Sequence, residues 1–259
     1  MKVLLIGCGK MGGAMLRQWA KEDGCDFTVA DPAPGPLPDG VRHVTGADQL
    51  SPAEFDIAII AVKPQMIGSL LPDYAPAVRE GGCFVSIAAG CSIASLEKVV
   101  GERAIVRVMP NLAAMVGMGV SGLYANARCS ETQVAAVACL VEMTGRCVKL
   151  TSEEEIDRLT AVSGSGPGYL FEFMRSYVEA AERLGFDAQT ARALVFDTIS
   201  GTVETARREN QSLEELRNSV TSKNGTTQAG LDQLRRDGLL QSLMNATVDA
   251  AYMRAAELR

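Results

Sequence analysis

At 259 residues, with 47% hydrophobic and 22% charged side chains, the chain has the composition of an ordinary globular protein. Its length is that at which one core begins to divide into two domains. A net charge of −6 provides no broad attraction for a polyanion, which argues against nucleic acid or an anionic membrane surface and in favour of a small-molecule ligand. Seven cysteines, an odd number without a Cys-x-x-Cys pair, indicate neither a disulfide framework nor a zinc site, so no metal is expected and most should be small core residues.

The first apolar run, Val3-Leu4-Leu5-Ile6, is too short for a signal sequence or a membrane span, and a cytoplasmic location is expected. Strands are predicted at Lys2–Ile6, Asp26–Ala30, Phe55–Val62, Cys83–Ala88 and Ala104–Met109, alternating with helical patterns as in a parallel sheet with crossover helices. The runs are almost continuously apolar, as when helices cover both faces of the sheet. Gly119–Ala125 and Cys147–Leu150 are expected to complete the sheet around a helix near Glu131–Thr144. The proline-rich stretch from Asp31 to Pro38 reads as a stiff loop.

From Ser152 the strand signal ends. Helical periodicity follows over Glu153–Val162, Pro167–Leu184, Ala188–Asn210, Leu213–Ser219, Thr227–Arg235 and Leu239–Leu258. Gly164-Ser165-Gly166 reads as a break, with Pro167 at a first helical position where its missing N–H costs nothing. The chain therefore reads as an α/β domain over residues 1–151 followed by an all-helical domain over residues 152–259.

Gly7-Cys8-Gly9-Lys10-Met11-Gly12 follows a strand and opens a helix, the context in which a glycine-rich turn binds a dinucleotide. Gly7 permits the tight turn, Gly9 lets the backbone approach a pyrophosphate, and Gly12 allows close helix–strand packing. Asp31 ends the second strand 19 residues after Gly12, where a carboxylate accepts hydrogen bonds from an adenosine ribose. It would repel a 2′-phosphate by about 3 kcal/mol at ~6 Å and an effective dielectric of ~20, a preference for NADH of roughly a hundredfold. A solvated turn aspartate before Pro32 is the plainer alternative.

The acid–base inventory is sparse. His43, the single histidine, follows the proline-rich loop and reads as structural. None of Tyr74, Tyr124, Tyr169, Tyr177 and Tyr252 is followed four residues later by lysine. Proton chemistry must come from elsewhere.

Four further segments stand out: Ala61-Val62-Lys63-Pro64-Gln65, Val106-Arg107-Val108-Met109-Pro110-Asn111, Ser163-Gly164-Ser165-Gly166-Pro167 and Thr221-Ser222-Lys223-Asn224-Gly225-Thr226-Thr227. In this order and spacing the chain closely resembles the pyrroline-5-carboxylate reductase family along essentially its whole length. The resemblance implies an N-terminal Rossmann domain, a helical dimerisation domain that interlocks with a second subunit, and NAD(P)H-dependent reduction of the cyclic imine L-1-pyrroline-5-carboxylate to L-proline. It further implies that Ala61, Val62, Lys63 and Pro64 lie against the cofactor, and that Ala88-Ala89-Gly90 and Met109-Pro110-Asn111 border the nicotinamide. Thr227 would contact the ring nitrogen. The chain departs from many relatives in having Asn111-Leu112-Ala113 where they have Asn-Thr-Pro, and in Asp31, where NADPH-preferring members carry polar or basic residues.

An imine nitrogen protonates more readily than a carbonyl oxygen, so a hydroxyl such as Thr227 can hold it and relay a proton from water without a strong side-chain acid. Gly225-Thr226-Thr227 precedes a helical pattern whose N–H groups can bind the substrate carboxylate, and Ser165-Gly166 stands at another helix start. Ordinary helix capping would explain both sequences equally well. Lys63 and Lys223 read either as solvated charges or, for Lys63, as a phosphate neighbour.

Three rivals remain. A hydroxyacid dehydrogenase would want a lysine on the helix after Gly166, and Pro167–Arg175 contains none. A reductase of another cyclic imino acid would share these motifs. A non-catalytic NAD(P) sensor would not need Gly225-Thr226-Thr227.

Overall fold

In the computed structural model, which describes residues 1–21 and 23–259, alternate residues of the first strand feed two separate cores. Strand β1 (Lys2–Ile6) sends Val3 and Leu5 to join Met15, Leu16, Trp19 and Val29 on one face of the sheet. Leu4 and Ile6 join Ile60, Ile67 and Phe84 on the other. Because both faces are buried, the run is apolar at every position rather than at every second one. The lone tryptophan fastens the first face: Trp19 donates its indole N–H to the Leu140 carbonyl at 2.7 Å and stacks on Phe27.

The remaining strands are β2 (Asp26–Ala30), β3 (Arg42–Val44), β4 (Phe55–Ile60), β5 (Val78–Ser86), β6 (Ala104–Met109), β7 (Gly119–Ala125) and β8 (Gly145–Lys149). Their order is β3-β2-β1-β4-β5-β6-β7-β8, parallel throughout except where β6 meets β7. That reversal departs from the expected parallel pattern, and has a local cause. Only a short 3-10 turn, Leu112–Val116, closed by the left-handed Gly117, separates the two strands, too little chain for a crossover helix. Strand β3 carries no apolar run, since Arg42 and His43 are both exposed, so it left no periodic signal. Strand β5 begins five residues before the expected Cys83 because Val78 pairs with Phe55; the exposed Arg79, Glu80 and Gly81 fall in a register shift before the ladder resumes with Cys83 opposite Ile57. Strand β4 stops at Ile60, and Ala61 continues only through its N–H to the Ile6 carbonyl.

Four helices cover the sheet: α1 (Lys10–Trp19), α2 (Pro64–Tyr74), α3 (Ile93–Val100) and α4 (Glu131–Glu142). Pro64 presets the first turn of α2, Ser92 caps α3, and a Ser130/Gln133 capping box opens α4. Beyond them run α5 (Glu154–Leu159), α6 (Gly166–Arg183), α7 (Ala188–Arg208), α8 (Leu213–Ser219), α9 (Thr226–Leu234) and α10 (Leu239–Leu258). The break expected at Gly164–Gly166 falls at Ser165, between a π-helical turn over Thr160–Gly164 and α6, whose second residue is Pro167; Ser165 donates its N–H to the Thr160 carbonyl five residues back. Of the cysteines, Cys83 and Cys91 are buried, Cys139 is exposed and the other four are half-buried, so fewer are core residues than composition implies. No described helix is long and apolar enough to cross a membrane.

The backbone forms two compact units, residues 1–167 with 250–259, and residues 168–249. In the first, the end of α10 packs on the sheet domain. Tyr252 donates its hydroxyl hydrogen to Glu154, and Arg259 pairs with Asp157 at 3.2 Å. In the second, Ala191 and Val195 are the only buried residues, while Leu184, Leu213 and Leu243 are 60 to 81% exposed. So large an apolar exterior is characteristic of a surface that other protein covers.

Asp157 is almost wholly buried, and burial pushes its carboxyl above the usual carboxylate range despite Arg259 and Arg107. A raised folded-state value means that the ionised form costs stability at neutral pH and that the cost is relieved as pH falls through that value. Asp157→Asn should therefore raise the melting temperature at pH 7, with the gap to wild type narrowing as pH is lowered. A lower melting temperature for the variant at pH 7 would show that the Arg259 pair outweighs burial.

Candidate dinucleotide site

The strand order turns at β1, where β2 lies on one side and β4 on the other, and Ile6 pairs with both Ala30 and Ile60. In such sheets the crevice beyond the carboxyl ends at the reversal is where a ligand can enter. The glycine turn occupies it. Gly7 has φ +87°, and a Cβ there would stand 2.7 Å from Val62 Cγ1; a Cβ on Gly12 would stand 2.9 Å from the Gly7 carbonyl oxygen and 3.0 Å from Ala61 Cβ. These two glycines are demanded by the protein's own packing. Gly9 is not: a Cβ there would meet no atom within 4 Å. Gly9 is also the N-cap of α1, and no side chain caps the helix. The first-turn N–H groups of Lys10, Met11 and Gly12 thus face an open, uncapped helix start, which fits a pyrophosphate.

Asp31 stands at the lip of this turn. Its Oδ2 accepts from the Cys8 N–H at 2.7 Å and its Oδ1 from the Ala33 N–H at 2.9 Å, so the carboxylate is fixed in place, and each oxygen keeps a lone pair for a further donor. Burial first, then the Asp31 charge, pushes the Cys8 thiol up, so it remains a neutral thiol beside the turn. The His43 ring bonds the Asp31 main-chain oxygen at 2.8 Å, a bracing contact consistent with its structural reading. Arg42 is committed to Glu54 and to the Gln49 carbonyl.

Ala61 and Val62 lean on the turn, while Lys63 and Pro64 are exposed at the start of α2. Ala88 is buried with its N–H directed to Ser86 Oγ; Ala89 is exposed; Gly90 has φ +71° and lies under the Leu258 carbonyl, where a Cβ would stand 2.7 Å away. Two residues without a role in the sequence reading underpin this loop. Glu153 accepts from the Ile93 N–H at 2.7 Å and from Arg107 Nη1 at 2.8 Å, and Arg107 is 3% exposed. An arginine inside the apolar run of β6 was the available signal, since such a charge is buried only with a partner. Met109 packs on Gly164, Pro110 is buried, and the Asn111 amide bonds main-chain groups of Ser163 and Val120.

Ser165 and Gly166 belong to the first unit, at the end of the π turn. Gly225, Thr226 and Thr227 belong to the second. There Gly225 is the N-cap of α9 without a side-chain capping bond, and Thr226 and Thr227 are the first two helical residues, both exposed. The capping alternative is thus excluded for these threonines. Thr227 lines a cavity of about 430 Å³ with Thr202, Thr205, Leu216, Arg217 and Val220. Lys223 is exposed.

A doubly wound sheet with an uncapped glycine turn at its reversal defines a dinucleotide-binding protein of the Rossmann type. Comparison with known proteins narrows this. Residues 153–258 match the model for pyrroline-5-carboxylate reductase dimerisation, and residues 2–90 that for NADP oxidoreductase, coenzyme F420-dependent. The pyrroline-5-carboxylate reductase of Pseudomonas aeruginosa is 40% identical over 207 residues, covering 80% of this chain and 76% of that protein. Among solved structures, a pyrroline-5-carboxylate reductase from Coxiella burnetii superposes with a TM-score of 0.89 at 30% identity, over 99% of this chain and 97% of that one. A Plasmodium falciparum pyrroline carboxylate reductase with NADP bound gives 0.88 at 28% identity, over 100% and 98%. The chain belongs to the pyrroline-5-carboxylate reductase family, and it is an NAD(P)H-dependent reductase with a homo-oligomeric helical part.

The unequal glycines separate packing from binding. Gly9→Ala should leave the melting temperature nearly unchanged yet weaken NADH and NADPH binding by about tenfold, roughly 1.4 kcal/mol. Gly12→Ala should lower the melting temperature, because its Cβ meets backbone that cannot yield. Unaltered cofactor affinity in a folded Gly9→Ala protein would remove Gly9 from the pyrophosphate site.

Proposed function

We propose that this chain reduces L-1-pyrroline-5-carboxylate to L-proline, the last step of proline synthesis, with NAD(P)H. The observation that carries this is the 40% identity to a reductase of that name across four-fifths of the chain. The nicotinamide cofactor supplies a hydride to the imine carbon. The protein's part is to hold the two reactants and manage one proton.

Gly7, Gly9, Lys10, Met11 and Gly12 hold the pyrophosphate, and Asp31 receives the adenosine ribose hydroxyls. Ala61, Val62, Lys63 and Pro64 lie along the cofactor, with Ala88, Ala89, Gly90, Met109, Pro110 and Asn111 beside the nicotinamide. Thr227 holds the ring nitrogen through its hydroxyl and relays the proton from water. Support for this comes from its exposed place in the first turn of α9, where no capping duty occupies the helix start. The first-turn N–H groups of Thr226 and Thr227 receive the substrate carboxylate beside Gly225, whose own N–H donates to the Ser222 carbonyl at 3.0 Å, and Ser165 and Gly166 form a wall of the imine site. Residues 1–151 serve the cofactor, and residues 152–259 serve dimerisation and substrate. The apolar exterior of residues 168–249 supports a homodimer or higher assembly. The acidic balance supports an enzyme without nucleic-acid or anionic-membrane partners.

Asp31 sets the cofactor preference toward NADH. Its carboxylate is fixed by Cys8 and Ala33 and cannot swing aside from a 2′-phosphate.

Oxidation of NADH and of NADPH by pyrroline-5-carboxylate at matched concentrations tests both statements. Turnover is expected with each, faster with NADH at low cofactor; a strong NADPH preference would remove the role given to Asp31, and no turnover would sink the function. Thr227→Ala should lower kcat by about a hundredfold or more while leaving cofactor affinity unchanged.

A further inference from the structure

Ser163 sits in the π turn, and its carbonyl lacks the donor that a helix normally provides. In an α-helix that donor is the N–H four residues on, and here it is Pro167, which has none. The Asn111 side chain replaces it: Nδ2 donates to the Ser163 carbonyl at 3.1 Å. The other end of the amide serves a second orphan. The last β6–β7 pair is Met109 with Gly122, and the same antiparallel register carried two residues further sets position 111 opposite Val120. Pro110 lies between, the main-chain ladder has ended, and Asn111 Oδ1 accepts the Val120 N–H at 3.0 Å instead. Ser163 Oγ bonds the Val120 carbonyl at 3.4 Å and closes a ring of three residues. Asn111 is 9% exposed, so both ends of its amide are spent inside the protein.

We propose that Asn111 is a positioning residue for the reductase, supplying the hydrogen bond that Pro167 withholds from Ser163 and thereby fixing Ser165-Gly166 relative to the end of β6. Its main chain can still border the nicotinamide; its amide acts on the imine side. This rests on Ser165-Gly166 being a wall of the imine site. The Ser163 hydroxyl reaches only the Val120 carbonyl, at 3.4 Å, so the Asn111 amide is the shorter link between the π turn and the start of β7, and its loss takes the donor from the half-buried Ser163 carbonyl.

The test is a double-mutant cycle with a control at Ser165. Asn111→Ala should raise the KM for pyrroline-5-carboxylate about tenfold while NADH and NADPH dissociation constants, read by fluorescence titration, change less than about twofold. Pro167→Ala returns an N–H at the α-helical donor position, so in that background the effect of Asn111→Ala should shrink to about threefold or less. If Asn111→Ala does not fold alone, Asn111→Asp takes its place in the cycle, since it keeps the volume and the acceptor for Val120 but loses the donor for Ser163. Cofactor affinity falling in step with the imine KM would overturn the proposal by making Asn111 a cofactor ligand. So would an undiminished effect in the Pro167→Ala background; if Ser165→Ala still raises the imine KM, the imine-site reading survives that failure. An unchanged imine KM in both Ser165→Ala and Asn111→Ala would overturn the imine-site reading, and the proposal with it.

Discussion

The close approach of α1 to the ends of β1 and β4 is the constraint on which the rest of the cofactor region depends. It leaves no room for a Cβ at Gly7 or Gly12, and Ala61 and Val62 are the surfaces that take up the space. A turn so tight holds the Cys8 N–H against Asp31, so the carboxylate at the end of β2 is tied directly to the turn. Because the helix begins on Gly9 without a side-chain cap, its first N–H groups keep their donors for an anion. Tight packing and open space therefore divide cleanly between neighbouring glycines.

On the other side of the crevice the loop after β5 is held by charge in a largely buried setting. Glu153 places a carboxylate at the start of α3, where the helix dipole favours it, and Arg107 neutralises it from β6. A buried pair of this kind is costly to break because the survivor is left uncompensated. The ion pairs on the outer helices, such as Arg175 with Glu172 and Glu179, are exposed and contribute little by comparison.

Residues 168–249 follow a different logic. Helix periodicity shapes each segment, yet the apolar stripes of α6, α8 and α10 remain largely uncovered within the chain. A polypeptide of this composition buries such stripes against other protein. The dimerisation match over residues 153–258 accounts for why these helices carry leucines and methionines on faces that a monomer leaves open.

How much was legible in the sequence differs by residue. The glycine turn, Asp31 at the end of β2, the ends of β1, β2, β6 and β7, the start of α7 and the spans of α8 and α10 follow from local pattern: glycine spacing, continuous apolar runs and 3.6-residue periodicity. Tertiary structure alone decided where main-chain groups far apart in sequence find partners. Strand β3 exists because β2 offers it a ladder, not because Arg42-His43-Val44 has strand character. The reversal at β7, the π turn after α5 and the Arg107–Glu153 pair are likewise invisible to periodicity. The prolines at 110 and 167 were plain in the sequence, but only the folded chain shows that the Asn111 amide donates to the Ser163 carbonyl that Pro167 cannot serve and accepts the Val120 N–H beyond Pro110, where the main-chain ladder has ended. The glycine turn itself shows the same division: its spacing declared the motif, while the fold decided that Gly7 and Gly12 serve packing and that Gly9 leaves space open.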